Sequence, residues 1–364
     1  MSSIETVKGG ASKFLSKLVE KGQVAFTPLF AVLASLTVGA VILAVSGIDP
    51  GSAYLMIFSE PFGTQFGFTK TLTELVPLLV VAVGLLVSFR AGVWNIGAQG
   101  QMLIGALLAN VVGYSFGPLP SLILIPMVLL AGCVAGAAWA LPPALLKARL
   151  GINEVITTLL LNFVAINLLR FLIKGVLRDV SEHHPLTYPV VETARLPYIF
   201  GTSIHIGIII AIALVVMIHI FMTKIPTGFE LRILGQSVKT ARYVGLPVGR
   251  LTILALVISG ATSGLAGAIQ VSGVMTNIDP VWTPTYGIAA VPLVFLAKLN
   301  AIALLPVSLL FAALLVGGDL MHRSTGIPVF FVEIILGMML FFFAFSEAIS
   351  RIRLRARLAL WSRT

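Results

Sequence analysis

Apolar residues along this chain gather into ten runs, at about residues 25–46, 71–89, 95–114, 121–146, 153–171, 203–222, 251–271, 286–297, 302–316 and 327–345. Most approach the roughly 20 residues a helix needs to cross a bilayer. None alternates polar and apolar at every second position, as a membrane barrel strand must. The expected fold is therefore all-α: a polytopic membrane protein with about 10 transmembrane helices. The two short runs divided by Lys298-Leu299-Asn300 also fit a broken or re-entrant helix.

The polar intervals set the organisation. Residues 1–24 carry Lys8, Lys13, Lys17 and Lys21 and predict a cytoplasmic amphipathic segment at the membrane surface. No cleavable signal is expected, because the first apolar run is too long for a signal core. Residues 25–347 form the transmembrane domain, 172–202 its long extracytoplasmic loop, and 348–364 a basic cytoplasmic tail. With ten spans both termini lie on one side, and 18 of the 24 Lys and Arg fall there, the bias expected of a cytoplasmic face.

The interval 223–250 has an internal design. Lys224, Arg232, Lys239, Arg242 and Arg250 face a single acid, Glu230. Ser237 suits an N-cap, residues 238–244 make two turns, and Gly245 with Pro247 ends them. A capped helix in a basic loop calls for a docking partner; solvated surface is the alternative.

Composition sharpens the class. The chain is 58% apolar and 10% charged, where soluble domains carry about a quarter charged residues. The net charge of +10 is explained by basic residues at the ends of apolar runs, so no nucleic-acid partner is inferred. One cysteine, Cys133, excludes an internal disulfide. No GxxxxGK[ST], HExxH or metal-spaced Cys/His set occurs, and Glu182-His183-His184 reads as ordinary surface. Neither catalysis nor a metal site is expected.

Polarity at membrane depth is the remaining signal. Asn95, Gln99 and Gln101 lie among Gly92, Gly97, Gly100 and Gly105. Glu154, Thr157 and Thr158 share a helical face with Asn162 near it, and Gly260, Gly264 and Gly267 make a small-residue packing surface. Glu333 places a carboxyl in the last run, where ionisable groups are functional candidates. Such features suit a protein that moves polar cargo, or a scaffold with polar junctions.

Three stretches resemble the signatures of bacterial ABC importer permeases of the branched-chain amino acid, ribose and simple sugar group: Arg90–Gln101, Gly151–Asn162 and Leu231–Gly245. The nucleoside permeases that work with basic-membrane-protein-type lipoprotein receptors are the nearest subgroup. The resemblance runs in order from about Pro28 to Phe345. It implies a transport subunit rather than an enzyme, in the cell membrane. Its partners would be a cytoplasmic ABC ATPase that binds ATP and Mg, a second and usually different permease, and an extracytoplasmic substrate-binding lipoprotein. Glu230, Arg232, Gly235, Ser237, Lys239, Thr240, Ala241, Arg242 and Gly245 would couple to the ATPase. Asn95, Gln99, Gln101, Thr157, Thr158, Asn162 and Glu333 are candidates for the translocation path, and Gly97, Gly100, Gly260, Gly264 and Gly267 for helix packing. Gln99 stands where the family commonly has Glu, and Ser237, Lys239 and Thr240 where it has Pro, Glu and Ala. Ribose or another simple sugar, and then branched-chain amino acids, are the alternative substrates. An ion-coupled secondary transporter using Glu333 or Glu154 is the alternative from another class.

Overall fold

The computed structural model describes residues 29–117, 119–199, 202–325, 331–335 and 337–346. The segments 1–24 and 348–364 lie outside them. Thirteen α-helices are described: α1 Leu29–Val45, α2 Pro50–Gly63, α3 Gln65–Arg90, α4 Ala98–Ser115, α5 Ser121–Leu150, α6 Glu154–Lys174, α7 Gly207–Lys224, α8 Pro226–Gln236, α9 Val238–Tyr243, α10 Val248–Gly273, α11 Tyr286–Leu296, α12 Leu304–Thr325 and α13 Phe331–Ser346. Among the described residues the only β structure is two isolated bridges, Arg178 with Thr187 and Tyr198 with His205. Among the described residues six helices, α3, α5, α6, α7, α10 and α12, are long and apolar enough to cross a membrane.

The chain divides into two compact units, Met56–Leu320 and a second drawn from Met1–Leu55 and Met321–Thr364. In the second, the Tyr54 hydroxyl donates to the Leu36 carbonyl at 2.5 Å, and a Cβ on Gly39 would meet that hydroxyl and Ile335. The larger unit carries the site.

At its centre is α3. Thr64 caps it, accepting from Gly67 N at 2.9 Å, and from Leu75 to Phe89 every residue is buried. A helix apolar all round belongs inside. By contrast α5 and α6 bury one stripe each and turn leucines, isoleucines and phenylalanines outward, as lipid-facing helices do. Glycines bring α10 against its neighbours. A Cβ on Gly264 would stand 2.1 Å from the Gly132 carbonyl oxygen of α5, one on Gly260 2.5 Å from that of Gly136, and one on Gly267 2.2 Å from that of Met102 on α4. Backbone meets backbone with no room for a side chain.

Several boundaries differ from the sequence pattern. Residues 50–63, in the interval between the first two apolar runs, form α2, and α3 starts at Gln65, taking Lys70 into the helix that holds Glu74. The two share one face at i and i+4, so the Lys70 charge lies within the helix and does not mark its end. α12 runs on past residue 316 to Thr325 because Gly317 packs on Ile57 of α2 and Asp319 pairs with Lys70. Eleven residues of α11 rise only about 16 Å, roughly half a bilayer. It joins α12 through Lys298 and Leu299, both left-handed, with Asn300 Oδ1 accepting from Ile302 N at 3.0 Å.

The long loop after α6 is a packed cover on the ends of α4 and α10. Val190 N donates to the Thr276 carbonyl at 2.7 Å, Leu196 N to that of Ser272 at 2.8 Å, and Asn110 Nδ2 to that of Tyr188 at 3.1 Å. α7 begins only at Gly207, which leaves His205 in this loop.

Candidate functional site

Between α3 and α4 the chain is non-helical from Ala91 to Gly97. Such a stretch inside an apolar bundle exposes backbone groups that lipid cannot satisfy, so protein must. α6 does this. Glu154, Thr158 and Asn162 recur every four residues on its buried face. Glu154 Oε1 accepts from Trp94 N at 3.3 Å, Thr158 Oγ1 from Ile96 N at 3.2 Å, and Asn162 Oδ1 from Gly100 N at 2.8 Å. Asn162 Nδ2 donates to the Ile96 carbonyl at 2.8 Å. The second Glu154 oxygen pairs with Lys147 of α5 at 2.6 Å. Gly97 and Gly100 let the segment lie this close: a Cβ on either would meet Thr158 or Asn162 at 2.9–3.0 Å.

Asn95 closes the other side. Its Nδ2 donates to Gln101 Oε1 at 2.8 Å and to Ser259 Oγ of α10 at 2.9 Å. Its Oδ1 accepts from Gly97 N at 3.0 Å and Gln101 Nε2 at 3.1 Å. The amides of Asn95, Gln101 and Asn162 are thus engaged with protein. Gln99, the next amide along, is 8% exposed and is not a member of this network. Thr157 lies on the flank of the α6 stripe and bonds back to the Asn153 and Glu154 carbonyls at 3.3 and 3.2 Å. Glu333 is exposed on α13, in the other unit.

Sequence reasoning missed a second polar group. Glu74 Oε2 accepts from the Tyr286 hydroxyl at 2.6 Å, and one turn away Lys70 pairs with Asp319. Gln270 of α10 is buried nearby, and its Oε1 has no partner among the described residues. The i, i+4 spacing of Lys70 and Glu74 was the available signal; the partners lie some 200 residues along the chain and gave none.

The basic loop folds as two helices. α8 was unforeseen: Pro226 occupies its first turn, Leu231 and Leu234 are buried, and Glu230 is half-buried. Arg232 stacks over Phe229, 5.4 Å from the ring centroid. Ser237 is extended and caps α9, accepting from Thr240 N at 3.2 Å. Gly245, with φ +78°, ends the turn as Leu246 N bonds to the Ala241 carbonyl at 2.9 Å. Ala241 is buried beneath, whereas Lys239, Thr240 and Arg242 are exposed and Tyr243 is 92% exposed. α8 touches the break: a Cβ on Gly235 would stand 1.9 Å from the Arg90 carbonyl oxygen, and one on Gly92 3.2 Å from Gly235 Cα.

Residues 67–344 match the family described as the branched-chain amino acid transport system permease component. Among individual relatives, a glucose ABC transporter permease of Haloferax volcanii is 35% identical over 338 residues, 90% of this chain and 89% of that protein. A guanosine ABC transporter permease of Bacillus subtilis is 31% identical over 88% of this chain and 93% of its own length. A nucleoside ABC transporter permease of Lactococcus lactis is 30% identical over 87% and 90%.

Proposed function

The chain belongs to the permease-component family of branched-chain amino acid transport systems and is a multi-pass ABC transporter permease subunit; from that premise we propose that it carries nucleosides into the cell across the cytoplasmic membrane. The observation that carries the substrate is the pair of nucleoside-handling relatives, each aligned over nearly nine-tenths of this chain. A polar, uncharged cargo suits a path bordered by Gln99, the amides of Asn95, Gln101 and Asn162, and the Thr158 hydroxyl. Glucose is the second reading, favoured by the 35% identity to the Haloferax protein. Both cargoes are neutral and rich in hydroxyl groups.

In this reading the chain crosses ten times: by the six long helices, by α1, α4 and α13, and by α11 together with the non-helical chain at its ends. Both termini and the loop 223–250 then face the cytoplasm, and the loop 172–202 faces outward. The exposed side of α9, with Lys239, Thr240, Arg242 and Tyr243, docks on a separate ABC ATPase, which binds ATP and its magnesium ion. A second permease completes the pore, and an extracytoplasmic receptor delivers substrate. Glu154 is held by Lys147 and Trp94 N, which disfavours a role as a proton-coupling carboxyl.

Competition uptake in cells depleted of this chain and complemented with it tests the substrate. Labelled guanosine uptake should depend on the chain and resist a large excess of glucose. Uptake of glucose that guanosine fails to inhibit would replace the nucleoside reading with the sugar one.

A further inference from the structure

In the larger unit, α8 and the non-helical segment 91–97 meet through backbone alone. The Cβ that Gly235 lacks would fall 1.9 Å from the Arg90 carbonyl oxygen and 3.1 Å from the carbonyl carbon of Ala91. Opposite it, Gly92 adopts φ +72°, a conformation side chains rarely take, and approaches Gly235 Cα. A contact with no side chain between the surfaces has no rotamer to absorb movement. Displacement of α8 must therefore displace the Arg90–Gly92 turn.

What lies beyond that turn is equally stiff. Trp94, Ile96 and Gly100 are held by Glu154, Thr158 and Asn162 of α6, and Glu154 is tied to Lys147 of α5. The Trp94 ring lies 5.2 Å from that of Phe89 and 5.3 Å from that of Phe295 at the end of α11. The segment leads directly into Gln99, whose backbone N would be 2.4 Å from a Cβ on Gly287 of α11. Segment 91–97 is thus bonded or packed to α4, α6, α8, α10 and α11 together, and reaches α5 through Glu154.

We propose that Gly235 and Gly92 are positioning residues for transport, forming the junction through which motion of the ATPase-docked loop enters the membrane domain at segment 91–97. This rests on the coupling role given to the loop above. α9 makes the external contact, α8 acts as the lever, and the broken segment moves Gln99 and the α6 stripe as one body. Packed elements with two discrete arrangements carry coupling in this way.

The test compares two equally tight glycines in the intact transporter, purified with its partners and reconstituted. Gly228 of α8 would place a Cβ 2.1 Å from the Phe221 carbonyl oxygen, against α7 rather than the break. Gly235→Ala should lower the number of guanosine molecules moved per ATP hydrolysed by about tenfold while the ATPase still co-purifies. Gly228→Ala should lower the yield of assembled transporter and leave that ratio at the wild-type value. Gly92→Asn, which tolerates the left-handed backbone and presses on Gly235 through its Cβ, should reproduce the loss in a stably folded protein. Equal ratios in all three variants and the wild type would overturn the proposal and leave the contact as packing. Absence of ATP-driven uptake in the wild-type assembly would instead overturn the functional reading on which it rests.

Discussion

Asn162 shows what one side chain does in a membrane interior. It accepts from Gly100 N and donates to the Ile96 carbonyl, so a single amide satisfies two backbone groups of the break. Asn162→Leu strands both, at about 1–3 kcal/mol for each buried group. The thermal midpoint in detergent should fall clearly further than for Thr157→Val, whose hydroxyl only bonds back to its own helix. Equal shifts would contradict the assignment. His205 gives a pH dependence at the same scale. Burial in the loop before α7 pushes its pKa down to about 4, and its Nδ1 accepts from Gly207 N, a bond that requires the neutral ring. The unfolded chain takes up a proton near pH 6.5 while the folded protein does not, so stability is full above that pH and declines as pH falls toward 4. Midpoints measured from pH 7 to pH 5 should drop, and His205→Leu should flatten the slope.

At the scale of elements, α9 and α10 make contrasting predictions. Arg242 is exposed on α9, so Arg242→Glu should change the thermal midpoint little, within about 0.5 kcal/mol, yet reduce the ATPase recovered with the permease. Arg232→Glu makes a poorer probe, because Arg232 is half-buried over Phe229 and close to Arg90. Gly264→Ala forces a methyl toward the Gly132 carbonyl and should cost about 1–3 kcal/mol of stability through overpacking of α10 on α5. Much of this was legible in the residues. The capped turn at Ser237, the glycines of α10 and the amides near α4 each announce themselves through local chemistry and spacing. α8 did not, because its pattern is only three buried positions in eleven residues. Nor did the break at 91–97: glycines and amides signal a polar junction, but only the α6 partners show that it is a non-helical backbone held by side chains. The group of Glu74, Tyr286 and Gln270 was beyond reach, since three helices meet there and no local pattern records it.

For the whole molecule, apolar runs were enough to predict an all-helical membrane protein, because helix length and hydrophobicity are properties of one segment at a time. The way α10 nests between α4 and α5, and the packed cover over their ends, depend on long-range fit and emerged only in three dimensions. On the proposed function, this membrane domain draws its energy from a separate ATPase through a docked loop. The most direct measurement isolates the tagged chain with its partners from its own membranes in mild detergent, reconstitutes them, and follows guanosine uptake with and without ATP. A P-loop ATPase and a second permease should come down with the chain, and uptake should require ATP. Uptake by the chain alone, undiminished without ATP, would contradict it.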